Sequence, residues 1–93
     1  MDTNIINYYR VTVEGYKPTE ISVKRIEETT YFCRFNSINF INEFNVFGFI
    51  VEAHKYGEHS FISHGNKNAE DFIQKAWNII FPRLDTPDYS EKL

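Results

Sequence analysis

The sequence predicts one α+β domain: an antiparallel sheet, built as a three-strand meander, a short helix and a hairpin, packed against a C-terminal amphipathic helix. Three observations predict it. Apolar residues alternate with polar ones in three short runs before residue 36. Turn residues separate those runs by only a few positions. Near the C-terminus the apolar period changes from two to three and four, the mark of a helix with one buried face.

The first strand reads NYYRVTVE over Asn7–Glu14, with Tyr9, Val11 and Val13 on one face and Tyr8, Arg10 and Thr12 on the other. Gly15-Tyr16-Lys17-Pro18 breaks it, because proline cannot donate to a ladder and glycine permits a turn. A second alternation covers Glu20–Ile26, with Ile21 and Val23 opposed to Ser22 and Lys24. After the polar turn Glu27-Glu28-Thr29, a third covers Thr30–Phe35, with Tyr31, Cys33 and Phe35 opposed to Phe32 and Arg34. Short links between such runs predict an antiparallel meander.

Ser37 is placed to cap a short helix, SINFINEF, with Ile38, Ile41 and Phe44 expected near its inner face and Phe40 nearby. Val46–His54 is the most apolar strand, and Gly48 inside it suggests a bulge. Tyr56-Gly57 is a turn signal and His59–Ser63 a returning strand, which makes a hairpin. The last helix is expected over Asn68–Phe81. Ala69, Phe72, Ile73, Ala76, Trp77 and Ile80 form its stripe, Asn68 is its expected cap with Asp71 reaching back, and Pro82 ends it. Residues 84–93 contain Pro87 and alternating charges, and are expected to form a loosely ordered tail.

Ninety-three residues make one core, and a domain of this size has little stability to spare. Cys33 is the single cysteine, so no intrachain disulfide supplies more, and a lone cysteine suits a reducing compartment. MDTNIINYYR lacks the basic start and apolar core of a signal peptide, which points to the cytoplasm, or to a host's cytoplasm for a viral chain. Oligomerisation is then the expected source of added stability, and a homodimer the expected form. A net charge of −3 gives no general attraction to nucleic acid. Asn, Ile, Phe, Tyr and Lys, all with AT-rich codons, dominate the composition, as is common in phages and mobile elements.

No phosphate loop, hydrolase elbow, HExxH or CxxC occurs, so neither a catalytic residue nor a cofactor is assigned. His54, His59 and His64 are spaced by five, and an odd spacing sends strand side chains to opposite faces, against a shared metal. Cys33 falls on the inward face, where a thiol is inert. One exposed constellation does emerge. Tyr8, Arg10, Lys24, Phe32 and Arg34 should share the outer sheet face, where aromatics interleaved with bases could stack nucleobases and hold phosphates. Nine Phe, six Tyr and one Trp also exceed what a core this small readily buries, and exposed aromatics favour protein interfaces.

The reading that follows is a non-enzymatic binding protein. It would be a small regulator or inhibitor of phage or mobile-element type that acts by protein–protein interaction, with nucleic-acid or nucleotide binding through the five-residue face as the alternative.

Overall fold

The computed structural model describes residues 5–54, 57–63, 65 and 67–92. Tyr56 and His64, each part of an expectation above, lie outside the described residues. The elements run β1 (Ile5–Val11), β2 (Thr19–Arg25), β3 (Thr30–Phe35), α1 (Ile38–Phe44), β4 (Gly48–Glu52), β5 (Ser60–Ile62), α2 (Lys67–Ile80), a 3₁₀ turn (Phe81–Arg83) and β6 (Tyr89–Lys92). All six strands join one antiparallel sheet in the order β5-β4-β3-β2-β1-β6. The meander, short helix, hairpin and packed C-terminal helix are therefore present, with one more strand than the sequence suggested.

The period-two alternation sorts the sheet into two faces. Tyr9, Val11, Ile21, Val23, Cys33, Phe35, Phe49 and Val51 all point inward and are buried. α2 lies on that face, and the six residues of its stripe are all buried. Phe35 is the junction between layers, with its ring 4.7 Å from Phe40 of α1, 5.8 Å from Phe49 of β4 and 6.0 Å from Phe72 of α2. Both helices thus cover the same face of the sheet. The Thr12–Pro18 connection folds over as well: Tyr16 sets its ring edge-on to Phe72 at 5.0 Å and donates its hydroxyl to Asp71 at 3.3 Å.

Four expectations need correction. Within the expected tail, Tyr89–Lys92 is a strand that pairs with β1 in register from Tyr8–Tyr89 to Ile5–Lys92. Asp88 makes this possible by accepting the Arg10 backbone N–H at 2.7 Å and pairing with Arg83, whose guanidinium also lies 5.4 Å from the Tyr9 ring. α2 starts at Lys67, so Asn68 lies inside its first turn, and Asp71 pairs with Lys75 at 3.1 Å and with Tyr16. In α1 the Ser37 cap forms, its Oγ accepting from Phe40 N at 3.4 Å, but Phe40 and Phe44 are the buried pair while Ile38 is 64% exposed. A spacing of four keeps two large rings on one face, and seven residues are too few to bury a second stripe.

Gly48 is the fourth. Its pairing continues without an extra residue from Thr30–Glu52 to Arg34–Gly48, and Phe35 N–H goes on to Phe47 O at 2.9 Å. No residue is inserted, so this is no bulge. The glycine is required because a Cβ there would lie 2.2 Å from the Cys33 carbonyl oxygen. The strict alternation stops at this point, with Phe47 70% exposed and Val46 buried.

Candidate functional site

The helices leave the other face of the sheet uncovered by any described element. Its side chains follow from the strand registers. One row crosses the sheet as Glu91, Ile6, Lys24, Phe32, Ile50 and Ile62. The neighbouring row runs Tyr89, Tyr8, Ser22, Arg34 and Gly48. Outside them lie Arg10 opposite Glu20, and Glu52 opposite both Thr30 and Ser60. All five residues proposed from the sequence, Tyr8, Arg10, Lys24, Phe32 and Arg34, stand on this one face, because each occupies the outward phase of its strand.

They do not stand as a uniform aromatic and basic platform. Tyr8 is stacked on Tyr89, ring centroids 4.4 Å apart and planes 8° from parallel, and it donates its hydroxyl to Glu91 at 3.2 Å. Desolvation first, and then the hydrogen bond to Glu91, holds the Tyr8 hydroxyl above its ordinary range. Arg10 has Glu20 beside it across the ladder. Three carboxylates, Glu20, Glu52 and Glu91, therefore share the face with Arg10, Lys24 and Arg34. Sequence reasoning missed these acids, although the same alternation places them.

The other end of the face is apolar. Phe32, Phe47, Ile50 and Ile62 line a shallow depression of about 240 Å³, together with Gly48, Phe49 and Ser63. Phe32 is 42% exposed, Phe47 70% and Ile62 59%, which is high for large apolar side chains. Gly48 forms part of the floor and carries no side chain to rise above it. Ile50 and Ile62 could have been found by carrying the alternation into the fourth and fifth strands. Phe47 could not, since regular alternation from Phe49 would send it inward.

Cys33 and His59 are engaged in packing, whereas His54 is exposed. Cys33 is fully buried, and burial pushes its thiol far above the ordinary thiol range. Among the described residues His59 makes its contacts with aromatic side chains of the last helix and the turn after it. Its Nδ1 accepts the indole N–H of Trp77 at 2.7 Å, and Phe81 sets its ring edge-on to the imidazole at 4.7 Å. Among the described residues no group of three His, Cys, Asp or Glu side chains is placed to hold a metal. No helix is long and apolar enough to cross a membrane.

The site thus defines a class: a two-layer α+β domain with one open sheet face, half apolar and half mixed in charge. Compared with family models, curated proteins and solved structures, the chain finds no match.

Proposed function

We propose that this chain is a non-enzymatic binding protein that engages protein through the open sheet face, in the manner of a small regulator or inhibitor that covers a partner's surface. The observation that carries this reading is the contiguous patch of Phe32, Phe47, Ile50 and Ile62 on a face left bare by both helices. Exposed apolar clusters rimmed by polar residues mark interaction sites, and aromatic anchors contribute most of the energy there. The mixed charge of the rim supports protein over nucleic acid, because a phosphate backbone would meet Glu20, Glu52 and Glu91 as well as the three bases.

Phe47→Arg tests the reading. Phe47 is largely exposed, so the variant is expected to keep the melting temperature of the wild type. Affinity capture from the cell of origin, with nuclease present, is expected to retain a protein partner with the wild type and lose it with the variant. Equal capture by both places the binding surface elsewhere. Capture that nuclease abolishes would favour the nucleic-acid alternative, in which Arg10→Glu with Arg34→Glu removes binding.

A further inference from the structure

We infer that the protein seated on the open sheet face is a second copy of this chain, in a face-to-face dimer with a two-fold axis running across the strands between the two central rows. The inference rests on the reading that this face binds protein, and names the partner.

The face is complementary to itself. A two-fold axis in the interface, perpendicular to the strands, lays each strand against its own copy and exchanges the two rows. The row Tyr89-Tyr8-Ser22-Arg34-Gly48 then meets the row Glu91-Ile6-Lys24-Phe32-Ile50. Three of the resulting pairings are favourable on chemical grounds. Ile50 of one copy sits over Gly48 of the other, which has no side chain to oppose it. The Arg34 guanidinium comes over the Phe32 ring, a cation–π arrangement. Tyr8 lies on Ile6. A symmetric interface needs each surface to carry both halves of every contact, and these two rows do.

Charge points the same way. Arg10, Lys24 and Arg34 balance Glu20, Glu52 and Glu91, so bringing two copies of the face together sets no net like charge against like. A face that repels its own copy would carry one sign in excess.

The area suffices. Six strands about 4.8 Å apart and outward side chains about 6.8 Å apart along each strand give this six-stranded face about 500–600 Å². Two copies bury about 1,000–1,200 Å², the lower end of the range for specific interfaces. Face-to-face packing of two sheets with their strands aligned is a common sandwich geometry. A foreign partner that takes the same face must displace the second copy, so dimer and complex exclude one another.

Sedimentation velocity of the whole chain over about 1–200 μM, with the wild type, Arg34→Glu and Ile50→Arg, tests the proposal. The wild type is expected to sediment as a dimer at the upper concentrations. Both variants are expected to weaken dimerisation at least tenfold while keeping a cooperative melt. Arg34 is exposed, so Arg34→Glu remains informative even if Ile50→Arg fails to fold. A wild type that stays monomeric throughout overturns the dimer, and a monomer that still captures a protein partner through Phe47 leaves the binding reading standing. Dimerisation that both variants preserve moves the interface off this face. A monomer that binds a labelled oligonucleotide, and loses it in Arg34→Glu, overturns both in favour of nucleic acid.

Discussion

Two buried polar atoms test how tightly this small core is built. The Tyr9 hydroxyl is fully enclosed and has no hydrogen-bond partner among the described residues. An unpaired buried hydroxyl is a desolvation loss with nothing to offset it. Tyr9→Phe, which retains the ring under Arg83, is expected to leave stability at neutral pH unchanged or raised by about 1 kcal/mol, as read by urea denaturation. The same residue sets an alkaline limit. Burial pushes the Tyr9 hydroxyl from 10.0 up to about 12, so the folded state holds its proton where the unfolded chain has released it. Its contribution is intact below pH 10 and is lost as pH climbs toward 12. A melting series across that window should fall for the wild type and fall less for Tyr9→Phe. A remainder is expected from Tyr8 and Tyr89, whose hydroxyls are also raised, chiefly by desolvation. The opposite case is Trp77, whose buried N–H depends on His59. His59→Phe strands that donor and should cost about 1–3 kcal/mol, whereas His59→Gln, which offers a carbonyl oxygen, should recover part of it. Unfolding followed by the fluorescence of the chain's single tryptophan separates the two.

Among the elements, α2 is the one on which both layers depend. Trp77, fully buried, lies against Tyr31 of β3 at 5.4 Å and against Phe81 at 5.8 Å, so it ties the helix both to the sheet and to the turn that follows. Truncation there leaves a cavity that neighbours on a rigid sheet cannot close. Trp77→Ala should cost about 3–5 kcal/mol, and a melting temperature equal to the wild type would show that the stripe is not core. The stripe of this helix was legible in the sequence, because six apolar residues at intervals of three and four admit one interpretation, while its start, one residue before the expected Asn68 cap, was not. The first three strands were legible for the same reason, and the five proposed face residues followed from their phase alone. β6 was not. All four of its residues are exposed, so burial leaves no pattern in Tyr89–Lys92, and its placement depends on Asp88 reaching the Arg10 backbone and Arg83. Such a tertiary tether has no local signature. The apolar half of the face was half legible: Ile50 and Ile62 obey the alternation, while Phe47 breaks it.

For the molecule as a whole, the order β5-β4-β3-β2-β1-β6 means that every strand pairs with its chain neighbour except the last, which returns across the length of the sequence to close on β1. The first five strands can form by local pairing, and β6 then adds last, because its loop-closure entropy is the largest in the sheet. What β6 contributes is small: backbone bonds, the Tyr8–Tyr89 stack and the Asp88 contacts, set against the ordering of nine residues. Those terms nearly cancel, so deleting residues 85–93 is expected to lower stability by only about 1–2 kcal/mol. The larger consequence lies in association. Deletion bares the outer edge of β1, seven residues long with its donors and acceptors unpaired, next to a sheet face already open. An exposed edge of that length pairs with other chains. The truncated chain should therefore melt within a few degrees of the wild type at low concentration, yet form large species as concentration rises, by light scattering. The intact chain should stop at a defined oligomer, because β6 is short and carries Glu91 and Lys92 along the edge. Equal scattering by both would mean that β6 does not guard the edge, and that its pairing with β1 serves only to place Tyr89 beside Tyr8 on the open face.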